Sequence, residues 1–103
     1  MAGIQSVPFD TTTDIAALVA APAGATQFVR VEGVEITGNG AVDAQFKSGS
    51  VVKWTAQFTA AGQSNVLPIS TEGWFDVDLA TALTLHVSAA VRVTGVVRYS
   101  IKG

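Results

Sequence analysis

The chain reads as an all-β protein: a single-domain β-sandwich or jelly roll of about eight short antiparallel strands. Three observations predict this. Val, Thr and Ile supply 31 of the 103 residues, against 15 for Leu, Glu, Lys, Arg and Met together. Side chains branched at Cβ stiffen χ1 and pack well on a pleated surface, so this bias favours strands. Apolar residues also recur with period two in several segments, and turn-forming residues fall between them at short intervals.

Taken in order, residues 1–13 are expected as an N-terminal arm or a first strand, and residues 14–103 as the β-sandwich domain. Pro8 and Thr11-Thr12-Thr13 suit an extended polar arm that orders on a neighbour. The plainer expectation is an ordinary first strand. Thr13-Asp14 could cap a helix, but Ile15, Leu18 and Val19 also fit a strand, and extended chain is the expectation. Between Phe28 and Thr37, Val29 and Val31 share one parity while Val34 and Ile36 take the other. Gly33 lies at the break and predicts a β-bulge or bend.

Gly38-Asn39-Gly40 between two apolar runs predicts a hairpin, since Asn and Gly tolerate positive φ. In Val51 to Ala60, Val52, Trp54, Ala56 and Phe58 fall on one face, and Val51, Lys53, Thr55, Gln57 and Thr59 on the other. Ser48-Gly49-Ser50, Ala61-Gly62-Gln63 and Glu72-Gly73 read as turns, Ala89-Ala90 as a weaker one. Leu83, Leu85 and Val87 alternate with Thr84, His86 and Ser88. From Val91 onward, Val93, Val97, Tyr99 and Ile101 alternate with Arg92, Thr94, Arg98 and Lys102.

Charge and composition exclude several function classes. Six Lys+Arg against eight Asp+Glu leave a net charge of −2, with no clustered basic excess for a phosphate backbone, so no nucleic-acid partner is expected. The absence of cysteine excludes disulfides and thiolate metal sites. The longest uncharged apolar run, Ile15 to Ala25, contains Pro22 and Gly24 and falls short of the ~20 residues a membrane helix needs, so no membrane partner is expected. The opening residues carry no basic region, so no signal peptide is expected. Charged residues make up only 14% of the chain, against about 25% in ordinary soluble domains. Such a chain is expected to hide surface against a partner.

No catalytic constellation emerges. His86 is the sole histidine and lies on the polar parity of its strand, which favours a surface role over a Ser-His-Asp relay or a zinc site. Asp76 and Asp78 flank Val77, with Glu72 near, and read as a solvated acidic edge rather than an acid–base pair or calcium loop. Gly38-Asn39-Gly40 lacks the Lys-Ser/Thr of a phosphate loop. No cofactor is expected. Arg92, Arg98 and Lys102 share a strand face as a basic stripe suited to acidic neighbours within or between subunits. Trp54 and Tyr99 read as core. Trp74 and Phe75 are adjacent after Gly73, so in extended chain they point opposite ways and one of them faces outward.

Over Asn65 to Phe75 (NVLPISTEGWF) the chain resembles small β-sandwich proteins encoded in tailed-bacteriophage structural gene clusters. Asp14 to Ala23 (DIAALVAAPA) leading into Val29-Arg30-Val31, the polar strand with Lys47-Ser48-Gly49, and the segment from Ala82 to Tyr99 carry the same resemblance, which covers most of residues 14–99. Lys53-Trp54 departs from it, standing where such proteins commonly have smaller apolar residues. The resemblance implies a virion protein without catalytic residues: a head decoration, or cement, protein of the phage head surface, made in the host cytoplasm. Its implied partners are the major capsid protein and its own copies in a homotrimer. Neck, tail or fibre components are the nearest alternatives. A carbohydrate-binding module, or a small hydrolase using Asp76, Asp78 or His86, is the alternative from other classes. The expected partner or subunit contacts are Val7, Pro8, Phe9 and Asp10 together with Trp74 and Phe75.

Overall fold

Period-two patterning becomes a strand wherever one of its faces can be buried, and here the chain does so repeatedly. The computed structural model describes residues 3–103. Its strands are β1 (Gln5–Thr11), β2 (Ile15–Val19), β3 (Phe28–Asn39), β4 (Val42–Ser48), β5 (Val51–Phe58), β6 (Ala61–Leu67), β7 (Phe75–Asp76), β8 (Leu83–Val87) and β9 (Val93–Lys102). They form two antiparallel sheets. The first has the order β1-β9-β3-β6, with the short β7 also on β3, and the second has the order β2-β8-β4-β5. With β7 set aside, this is jelly-roll topology: eight strands in two sheets, the chain passing back and forth between them. Gln5–Thr11 is thus a strand rather than a free arm, paired with β9 from Gln5↔Tyr99 to Thr11↔Val93.

Among the described strands, only β4 and β5 close a hairpin between sequence neighbours. Gly49, at φ 59°, opens its two-residue turn between Ser48 and Val51. The hairpin expected at Gly38-Asn39-Gly40 does not form, because β3 and β4 belong to different sheets. These glycines serve close approach instead. A Cβ on Gly38 would lie 2.5 Å from the Phe58 ring, and one on Gly40 would lie 3.2 Å from Val91. Small residues let the chain close over the end of the sandwich, where Asn39 N–H donates to the Arg92 carbonyl at 2.9 Å.

The phase break at Gly33 is a bulge, as expected: Val31 pairs with Tyr99 and Gly33 with Arg98, leaving Glu32 as the extra residue. A second bulge has no counterpart in the sequence pattern. Phe46 pairs with Trp54 but Lys47 pairs with Val52, so Lys53 is extra and Val52 leaves the face that Trp54 occupies. Val52 is consequently exposed, whereas Trp54 packs against the core.

The core lies between the sheets. Val29, Val31, Val34 and Ile36 of β3 and Val93 and Val97 of β9 face Ala44 and Phe46 of β4 and Leu83 and Leu85 of β8, all buried. Phe46 is its hub, edge-on to Phe9 with ring centroids 6.2 Å apart and stacked on Trp54 at 5.6 Å. Phe46→Ala is expected to lower stability by about 3–5 kcal/mol. Gly95→Ala is expected to lower it by on the order of 3 kcal/mol, since its Cβ would collide with the Glu35 carbonyl oxygen, a backbone atom that cannot turn aside. Gly3→Ala, with open space around it, serves as a neutral control. Urea unfolding of the three variants checks the order.

Candidate interaction surface

The outer face of the β1-β9-β3-β6 sheet is where the chain departs most from a plain sandwich. β6 leaves β3 at Leu67, and the chain loops out along the same edge of β3 as Pro68–Trp74 before β7 resumes pairing at Val31 and Arg30. The excursion is anchored by Ser70 N–H to the Glu32 carbonyl and Trp74 N–H to the Val31 carbonyl, both 2.8 Å. Gly73, at φ 79°, seats on the Arg30 stem, where a Cβ would lie 2.6 Å from Arg30 Cγ. Only glycine combines that backbone with that contact. Ile69 lies over Gly33, whose own Cβ would be 3.4 Å from it.

Trp74 and Phe75 part as extended neighbours must. Phe75 turns inward and packs against the core, whereas Trp74 remains 47% exposed, its indole N–H donating to the Pro68 carbonyl at 2.7 Å. Ile69 and Val66 are also exposed, at 57% and 56%. Three large apolar side chains therefore stand on the excursion and the strand that leads into it. The sequence singles out only Trp74; Ile69 and Val66 carry no signal there beyond being apolar beside a turn.

The N-terminal expectation needs correction. Phe9 is a core residue with no surface to offer, and Val7 is half-buried, its side chain packed partly against the core. Pro8 and Asp10 are exposed. Asp10 is held by Arg92 in a two-pronged pair, Nε to Oδ1 at 2.8 Å and Nη2 to Oδ2 at 2.7 Å. The Phe75 contact is corrected in the same way, because its ring is directed inward.

The basic stripe is largely neutralised within the chain. Arg92 pairs with Asp10, Arg98 approaches Glu35 at 3.7 Å, and Lys102 ends β9 opposite Phe28. Arg30 grips Asp76 through Nε at 2.8 Å and Nη2 at 3.2 Å and lies over the Phe28 ring at 5.5 Å. That pairing takes Asp76 out of any dyad with Asp78, whose backbone N–H instead meets Ser48 Oγ at 2.9 Å. Next to Arg30, Glu32 and Ser100 are both 2% exposed, and Glu32 Oε1 and Ser100 Oγ have no hydrogen-bond partner among the described residues. The Asp76 hydrogen bond holds the Arg30 guanidinium above its ordinary pKa, and the field of Glu32 adds a smaller push in the same direction.

On the opposite sheet, His86 Nδ1 lies 2.9 Å from Asp14 Oδ2, and Asp14 Oδ1 accepts the Val87 N–H at 2.9 Å. This is two-thirds of a relay without its nucleophile. The flanking hydroxyls are engaged elsewhere: Thr84 Oγ1 donates to the Ala16 carbonyl, and Ser88 Oγ accepts the Asp43 N–H. Among the described residues, no three His, Asp or Glu side chains converge as a metal site. A shallow polar depression of about 410 Å³ lies between β5 and β6, lined by Gln57, Thr59, Gln63, Ser64 and Asn65. Gln63 Oε1 there accepts the Thr59 and Ala60 backbone N–H groups.

The chain matches no family model, no curated protein and no solved structure. Its functional reading therefore rests on its own residues.

Two carboxylates give the fold an acid limb. The Arg92 hydrogen bond holds Asp10 below its ordinary value, and the hydrogen bonds from His86 and then Val87 do the same for Asp14. A carboxylate that ionises more readily folded than unfolded supplies stability above its unfolded pKa, and that stability is lost as pH falls through the lower folded value. Asp10→Asn and Asp14→Asn are each expected to lower Tm near neutral pH, and the gap from the parent is expected to close as pH falls from about 5 to about 2. Thermal melts across that range check it.

Proposed function

We propose that this chain is a structural protein of a tailed-bacteriophage virion, a decoration or cement protein that docks on the assembled head as a trimer and bridges capsomers. Its partners are then the major capsid protein and its own copies, its place is the head surface after synthesis in the host cytoplasm, and it works without catalysis or cofactor. The observation that carries the proposal is the exposed Val66–Ile69–Trp74 group on a sheet face whose charges are largely paired among themselves. A large apolar side chain near the centre of a contact can supply much of its binding energy, while paired ions at the rim that stay wet contribute little either way.

The strand edges favour docking through a face rather than by sheet extension. Pro8 leaves β1 one backbone N–H short, β2 is five residues long with a register shift, Lys53 bulges from β5, and Gly62, at φ 83°, marks the irregular start of β6. Each device discourages strand addition. The jelly roll itself is shared by viral capsid proteins and lectins, so topology alone does not choose between them. Binding that favours the expanded shell stabilises it by mass action, and many symmetric copies let each contact be modest.

The polar depression between β5 and β6 supports a second reading, a carbohydrate-binding module, since amides and hydroxyls match sugar hydroxyl groups. The two separate by mass and ligand. Light scattering after gel filtration is expected to give about 32 kDa, three copies of a 10.6 kDa chain, at two protein concentrations. Trp74→Ala is expected to weaken co-sedimentation with expanded phage heads by tenfold or more, as befits a hot-spot residue worth about 2 kcal/mol. A monomer that ignores heads and binds immobilised glycans would establish the second reading instead.

A further inference from the structure

The Pro68–Trp74 excursion is built as one piece. The Trp74 indole bond to the Pro68 carbonyl ties its two ends, and Gly73 N–H closes the turn inside it on the Ser70 carbonyl at 3.0 Å. Such a short loop with joined ends behaves as a compact unit. Its attachment to the sheet is thinner. Apart from the chain at either end, the backbone bonds holding it are Ser70 to Glu32 and Trp74 to Val31.

Beside its anchors lie two side chains poorly matched to burial. Glu32 is the extra residue of the β3 bulge, and its own carbonyl accepts the Ser70 N–H. Ser100 opposes Arg30 across β3 and β9, and Gly73 rests on the Arg30 stem. Glu32 Oε1 and Ser100 Oγ are closed from water and, among the described residues, left without partners. An unpartnered polar atom penalises the closed state, and the penalty disappears when water returns.

We infer that Pro68–Trp74 is a hinged strap that opens as a unit about its two ends, and that Glu32 and Ser100 set how often it opens. Opening uncovers Glu32, Ser100 and Arg30 and redirects Ile69 and Trp74, so this face has two states. The strap stands on these contacts alone and does not depend on docking to a phage head.

Amide hydrogen exchange on the full-length chain tests it, read by NMR at Ser70 and Trp74 with Val97 in central β9 as the reference. In the parent, the Ser70 and Trp74 amides are expected to exchange much faster than Val97. Glu32→Met keeps the length of the side chain and removes the carboxylate, and is expected to slow both amides about tenfold relative to Val97. Ser100→Ala, which loses no hydrogen bond, is expected to slow them in the same sense and decides the matter if Glu32→Met does not fold. Exchange at Ser70 and Trp74 that is as slow as Val97 in the parent, or unchanged or faster in the folded variants, overturns the inference.

Discussion

The pairing of β3 with β9 is the constraint on which the rest depends. It runs from Phe28↔Lys102 to Gly38↔Val93 and joins segments about sixty residues apart in the chain, a long-range closure whose entropy must be offset by contacts formed afterwards. Every other strand of its sheet hangs on these two: β1 on β9, and β6 and β7 on β3. The same two strands present Val29, Val31, Val34, Ile36, Val93 and Val97 to the core, so the ladder also supplies one wall against which Phe46 packs. Gly95 sits in this ladder because the backbones leave no room for a side chain there.

Much of this architecture is legible in the sequence. Alternation locates β5, β8 and β9, since each has one wet face and one dry one. The parity change at Gly33 locates a bulge, because a register slip must flip side chains. Gly38-Asn39-Gly40 misleads for a physical reason: glycine marks both positive φ and tight approach, and only the identity of the opposing surface, here Phe58 and Val91, separates the two. The Lys53 bulge is hidden because Val52 is apolar and fits either face.

The surface is less legible, since its meaning lies in pairs far apart in sequence. Asp10 with Arg92, Asp14 with His86 and Arg30 with Asp76 cannot be matched by spacing. Phe9 and Phe75 stand beside Pro8 and Trp74 and invite the same reading, but alternation within an ordered strand sends one of each neighbouring pair inward. Glu32 lies at a visible signal, the bulge, yet nothing local in the sequence shows that its side chain is buried or that Ser70, far along the chain, meets its carbonyl.

The two poles of the sandwich are built differently. At one, the chain passes between sheets through short links, residues 12–14, 40–41, 59–60 and 88–92, with glycines fitted against Phe58 and Val91. At the other lie residues 20–27 and 77–82, and between that pole and the middle of β3 the edge carries residues 68–74; these are the longest connections in the fold. The first pole has almost no freedom to change length without disturbing the core. Drift, insertion and adaptation to a new partner are therefore channelled to the second, and a lineage of such chains could exchange one docking surface for another while the sandwich beneath it stayed the same.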